Sequence, residues 1–232
     1  MVLPLHDDNP SSTRPIVTVA FIAACTLIFI WQFLAGPVAG QSIIYAFGSI
    51  PAVLFGAREL PVELQIVPPA ASVLTSMFLH GGWLHLLGNM LYLWVFGNNV
   101  EDAMGHGRFI AFYLVCGIAA ALAQALPDPT STVPMVGASG AISGVLGAYM
   151  LLYPHARVLL GLPLGFFIVQ LGRFPALWVL AAWFGMQLAM NAFTVSATGG
   201  VAFRAHIGGF VAGLLLIPFF KHRSVPLWRA RT

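Results

Sequence analysis

The stretch VGASGAISG, residues 136–144, sets a single serine, Ser139, among glycines and alanines, followed by a second, Ser143, at the start of a long uncharged run. Small residues at this density let two helices touch inside a membrane, whereas a hydroxyl held there could also do chemistry. Which of the two applies depends on where the chain sits. With 59% hydrophobic and only 7% charged residues, the 232-residue chain is far from the roughly 25% charged content of soluble domains. It reads as a membrane protein. Ten Lys plus Arg against seven Asp plus Glu is a small and scattered excess, without the basic stripe that would suit a phosphate backbone, so nucleic acid is not an expected partner. Cys25 and Cys116 both lie in apolar runs, where a thiol behaves as a small hydrophobe, and they make neither a disulfide framework nor a thiol metal site.

Working outward from the motif, uncharged runs long enough to cross a hydrocarbon core of about 30 Å predict six spanning helices. They cover Ile16 to Gly36, Gly82 to Gly97 with an uncharged extension before it, Phe109 to Leu126, the opening motif to about Tyr153, Pro175 to Phe193 and Ala205 to Phe220. The first is too long for a signal-peptide core and reads as a retained span. Residues 37–73, broken by prolines and by Arg58, Glu59 and Glu63, read as an interfacial, membrane-associated loop. Residues 158–172, carrying Gly161, Pro163 and Gly165, read as a loop near the surface. The organisation expected is a short cytoplasmic segment 1–15, a six-span domain 16–220 and a short basic cytoplasmic tail 221–232. Basic residues accumulate on the cytoplasmic side of spans. With the N-terminus inside, Arg14, Arg108, Arg157, Arg173, Lys221, Arg223, Arg229 and Arg231 fall inside and only Arg58 and Arg204 outside, which puts both termini in the cytoplasm.

That topology predicts depth. Ser139 opens span four, His206 opens span six, and His85 with Asn89 lies in the first turns of span two, so all four share the outer end of the bundle. Residues three or four apart share a helix face. Ser139, Ser143 and Gly147, flanked by Gly140 and Gly144, form one small-residue stripe, and His206, Gly209 and Gly213 form another. Close approach of these two helices would bring the hydroxyl to the imidazole. A serine needs a base to become a nucleophile, and histidine is the usual one. All seven acids fall outside the predicted spans, which predicts a Ser139–His206 dyad without a carboxylate. Asn89, His85 and the backbone N–H of Ser139 are the expected donors to a developing oxyanion.

GASGAISG at 137–144, AHIGG at 205–209 and HGGWLHLLGN at 80–89 resemble the corresponding blocks of the rhomboid intramembrane serine proteases, and GNNVEDAMG at 97–105 resembles that family's segment at the end of its second span. The resemblance runs from about residue 74 to 217. It implies an all-α polytopic membrane protein with the six-transmembrane-helix rhomboid fold. It also implies a Ser139 nucleophile, a His206 base, and His85 and Asn89 at the oxyanion, while Gly137, Gly140, Gly144, Gly209 and Gly213 are expected, as small residues, to serve helix packing. The implied reaction is cleavage of single-span or other membrane proteins near the outer boundary of the bilayer, without metal or cofactor, and the short termini suggest a bacterial inner membrane. Three departures stand out. A Trp-Arg pair common in the family's first loop is replaced by Ala71 and Ser72, an aromatic four residues after the nucleophile by Ser143, and an aromatic two before the histidine by Arg204.

Each residue also has a plainer reading. Ser139 could be a packing residue, His206 a hydrogen-bonded helix-end histidine, and His85 and Asn89 helix-to-helix glue, while Glu101 would cap or bond a loop or else be a solvated end charge. Rival functions are a six-span channel or transporter, disfavoured by the lack of an inverted repeat or a membrane-buried acid; a zinc enzyme on His80, His85 and His206, disfavoured by the absence of HExxH; and an inactive relative that binds membrane proteins uncut.

Overall fold

The computed structural model describes residues 2–165, 167–193 and 202–229. The loop expected behind the fifth span and Arg231 in the tail fall largely outside them. The helices with spanning candidates are α1 (Ile16–Leu34), α5 (Trp83–Met104), α6 (His106–Ala125), α7 (Ser139–Leu152), α8 (Ala176–Phe193) and α9 (Phe203–Phe220), with α2 (Gly36–Phe47), α3 (Pro51–Leu54) and α4 (Pro69–Thr75) between α1 and α5. By length and composition α1, α6, α8 and α9 suffice to cross a membrane. The chain is a polytopic helical membrane protein.

α7 is the hub. Its residues Gly140–Tyr149 are all buried, and α5, α6, α8 and α9 pack around it. At 14 residues it is only about 21 Å long at the helical rise, well short of the hydrocarbon thickness. A helix surrounded by other helices does not have to match the bilayer, so it can begin partway into the bundle. Charge-free composition therefore marked the right segment.

α5 runs on to Met104, about two turns beyond the expected end near Gly97, and so takes Glu101 and Asp102 into its last turn. Glu101 is fully buried. Its carboxylate accepts from the backbone N–H of Val17 at 2.9 Å, from the N–H of Thr18 at 2.8 Å and from the Thr18 hydroxyl at 2.7 Å, while His106 Nδ1 lies 2.6 Å away. These are the orphan donors at the start of α1, where the helix dipole favours negative charge. The carboxylate ties the first spanning helix to the second. Asp102 does the same for the incoming chain, accepting from the Ser12 and Thr13 backbone N–H groups and hydroxyls. Gly105, at φ +79°, then turns the chain from α5 straight into α6.

The reading of 158–172 as a loop is corrected. Arg157–Leu164 (β2) and Phe167–Pro175 (β3) are antiparallel strands, and β2 also pairs with Leu3–Asp7 (β1), giving a sheet ordered β1-β2-β3. Gly161 and Pro163, which suggested a break, have other reasons. A Cβ on Gly161 would meet Ile168 Cγ2 at 2.6 Å and Leu5 Cδ1 at 2.7 Å, so the position is emptied by its neighbours' side chains. Pro163 lies past the last β1–β2 partner pair, Leu3 with Gly161, where one side of β2 has no strand to bond. The partner strand lies about 150 residues upstream, beyond any local pattern. Likewise the interfacial segment 37–73 is largely helical, and it is pinned by an antiparallel bridge between Ser49 and Met135 and by the Thr75 hydroxyl donating to the Phe47 carbonyl at 2.6 Å.

The N-terminal strand reaches the hub through one polar contact. The Tyr149 hydroxyl of α7 donates to Asp7 Oδ2, and Asp7 is 3% exposed. Burial holds the Asp7 carboxyl above its ordinary value, and the Tyr149 bond offsets part of that rise. A native value above the unfolded one means the folded chain holds this proton more tightly. The stabilisation is therefore complete below the ordinary carboxylate value and is lost as pH rises through the raised native value. Asp7→Asn keeps an acceptor for Tyr149 but has no proton to lose. Its thermal unfolding midpoint in detergent, relative to the unsubstituted chain, is expected to rise as pH is taken from about 4 to about 8; a difference that stays flat with pH would contradict this account of Asp7.

Candidate active site

Ser139 is the first residue of α7, and His206 lies in the first turn of α9. Ser139 Oγ and His206 Nε2 are 2.9 Å apart, with both residues half-buried. What brings them together is backbone contact between the two helices. A Cβ on Gly209 would overlap the Gly140 carbonyl oxygen, one on Gly213 the Gly144 carbonyl oxygen, and one on Gly147 the Phe210 carbonyl oxygen. On their other side Gly140 and Gly144 face α6, where a Cβ would come within 2.6 Å of Ala120 Cβ and 2.5 Å of Cys116 Cβ. Gly140, Gly144, Gly209 and Gly213 thus sit at helix contacts.

Gly137 differs from the packing role expected of it. It lies before α7 at φ +124°, a conformation that favours glycine, and a Cβ there would be 2.7 Å from His85 Cε1 and Nε2 and 3.6 Å from Asn89 Nδ2. Its N–H donates to the Ser76 carbonyl at 2.9 Å. The glycine is a turn that leaves room for two side chains from α5. His85 Nδ1 accepts from the Gly81 N–H at 3.3 Å, which leaves the proton of a neutral ring on Nε2, the atom turned towards Gly137. Asn89 is buried, and its Nδ2 has no hydrogen-bond partner among the described residues. Two donors from α5 therefore converge on the turn preceding Ser139. A cleft lined by Ser76, Met135, Gly137, Ser139 and Ala205 opens beside them.

Two neighbours of His206 had no place in the sequence reading. Gln187 Oε1 of α8 lies 2.9 Å from His206 Nδ1, and the Trp183 ring lies against the imidazole with centroids 5.9 Å apart. The available signal was an amide in a largely apolar run, four residues after a tryptophan and four before Asn191. The Ser143 hydroxyl donates to the Ser139 carbonyl at 2.7 Å and does not reach the imidazole. His80 is buried and lies edge-on to His85 with ring centroids 5.2 Å apart, and no three His, Cys, Asp or Glu side chains among the described residues form a metal-ligand set.

The family model described as Rhomboid domain matches residues 68–223. Rhomboid protein 1, mitochondrial, of Saccharomyces cerevisiae is 30% identical over 190 residues, which is 75% of this chain and 52% of that protein. Rhomboid protease GluP of Bacillus subtilis is 35% identical over 137 residues, 59% of this chain and 24% of that protein. Putative rhomboid protease YdcA of Bacillus subtilis is 28% identical over 179 residues, 75% of this chain and 88% of that protein. The chain thus spans about half of the first of these relatives and a quarter of the second. It belongs to the rhomboid family.

Gly213→Ala tests the contact that assembles the site. The added methyl has only the Gly144 backbone to displace, and overpacking of this kind costs about 1–3 kcal/mol. The variant is expected to unfold at lower temperature in detergent; a variant as stable as the parent would mean that α7 and α9 are not held by this contact.

Proposed function

We propose that the chain is an intramembrane serine endopeptidase that cuts membrane proteins, single-span ones included, in or near their transmembrane segments. The observation that carries this reading is the 2.9 Å separation of Ser139 Oγ and His206 Nε2 at the paired starts of α7 and α9. His206 Nε2 takes the hydroxyl proton as Ser139 Oγ attacks the scissile carbonyl carbon, forming a C–O bond and placing the negative charge on the carbonyl oxygen. Asn89 Nδ2, His85 Nε2–H and the Ser139 backbone N–H meet that charge. The imidazolium then returns the proton to the leaving amine as the C–N bond breaks, leaving an acyl-enzyme. Water, deprotonated by His206, attacks the ester, and Ser139 leaves with the proton.

The catalytic unit we assign is 16–220, with 1–15 and 221–232 on the cytoplasmic side and a bacterial inner membrane as the compartment. The shortness of α7 supports a serine set below the outer boundary. If its inner end is level with that of its neighbours, Ser139 lies about 9 Å inside the hydrocarbon edge. A peptide bond there is shielded from bulk water until a helical substrate bends into the cleft.

Labelling by a serine-directed fluorophosphonate in detergent, alongside cleavage of a reporter transmembrane substrate, tests the reading. Ser139→Ala is expected to abolish both, and His206→Ala to reduce both at least a hundredfold. Asn89→Ala is expected to lower kcat about a hundredfold with little change in KM, since its donor serves the transition state. Undiminished labelling in Ser139→Ala would overturn the assignment, and a KM defect alone would remove Asn89 from the oxyanion.

A further inference from the structure

Among the described residues of α8, only Ala176, Leu180 and Gln187 are buried, and Gln187 is the one polar member at 4% exposure. Positions 176, 180 and 187, with Trp183 between them, follow helical spacing and form the stripe that α8 turns towards α7 and α9. An amide turned inwards in a membrane helix must find a partner. This one finds His206. Its Oε1 lies 2.9 Å from Nδ1 while Ser139 Oγ lies 2.9 Å from Nε2, so the imidazole is held at both nitrogens. Trp183 covers one face of the ring, and Phe184 stacks on Phe210, one turn along α9, at 4.4 Å. The aromatic support that Ser143 cannot give from α7 is thus given by Trp183 from α8.

We infer that Gln187 is the positioning residue for His206: its amide oxygen accepts the Nδ1 proton and so keeps the Nε2 lone pair directed at the Ser139 hydroxyl. The inference rests on the dyad reading above. An amide oxygen can only accept, so its contact puts the proton of a neutral imidazole on Nδ1. The opposite arrangement, with the amide NH2 donating to Nδ1, would put the proton on Nε2 and leave no base for the serine. Gln187 therefore acts as the third member of a chain of hydrogen bonds, in which a neutral acceptor stands where a carboxylate would be costly. A glutamine serving only to glue α8 to α9 would work through stability, with no preference for an acceptor over a donor.

Gln187→Leu removes the acceptor at similar volume, and Gln187→Glu keeps a side-chain oxygen that can accept from Nδ1 whether the carboxyl is neutral or ionised. The leucine variant is expected to lose roughly 10- to 100-fold in kcat and in fluorophosphonate labelling rate, within what general-base catalysis contributes, with KM changed less than about threefold. The glutamate variant is expected to keep at least about a third of the parental kcat. Full activity in the leucine variant, or equal losses in both, would overturn the role of Gln187. Ser139→Ala run in parallel separates this outcome from failure of the dyad itself, because it should lose all labelling whatever Gln187 does. Should the leucine variant not fold, 15N NMR of histidine-labelled parent protein decides, with the His206 signals assigned by their loss in His206→Ala. Protonation at Nδ1 is the expected result, and protonation at Nε2 in the resting protein would overturn it.

Discussion

The grouping of Ser139 with His206 depends on the backbone contact between α7 and α9. Gly209 and Gly213 lie directly on the carbonyl oxygens of Gly140 and Gly144, so no side chain separates the two helices. In a membrane there is little hydrophobic force to press helices together, and close contact must come from packing without side chains in the way. Because Ser139 lies one residue before Gly140 and His206 three before Gly209, the contact that joins the helices also fixes the hydroxyl against the imidazole. A site built on two rigid helix starts holds its geometry better than one built on loops.

At the Met104 end of α5, Glu101 is buried but bonded by the start of α1, and Asp102 is bonded by Ser12 and Thr13, while Asp7 is bonded by Tyr149. These groups fasten α1, the N-terminal strand and the hub to one another. Near Ser139, Asn89 keeps a buried Nδ2 with no partner among the described residues, as do several buried polar atoms elsewhere, Asn99 Oδ1 near Glu101 included. A buried donor left unmade costs about 1–3 kcal/mol, an expense that is understandable where an oxyanion is to arrive. What sets Asn89 apart is its place beside the turn before Ser139, which supports the proposed protease over a channel.

Much of this was legible in the residues. Lack of charge marked the spanning helices, and helical spacing put small residues on facing stripes, because both signals are local and periodic. The expectation that Ser139, His206, His85 and Asn89 lie together came from topology and basic-residue placement. What escaped depended on distant partners. β1 and β2 pair across about 150 residues, so glycine and proline in the hairpin looked like breakers until Leu5 and Ile168 were seen to fill the space over Gly161. Glu101 read equally well as a cap or as a solvated charge, and only the position of Val17 and Thr18 decides between them. Gln187 carried no recognisable motif, and its meaning comes wholly from where α8 lies against α9.

The most direct test of the central claim is the structure of the fluorophosphonate adduct in a lipid bilayer disc. The account predicts phosphorus bonded to Ser139 Oγ, the phosphoryl oxygen accepting from Asn89 Nδ2 and His85 Nε2, and α7 and α9 still in backbone contact through Gly140, Gly144, Gly209 and Gly213. Phosphorus on another residue, or a Ser139 separated from His206 by a gap filled with lipid or other side chains, would contradict it.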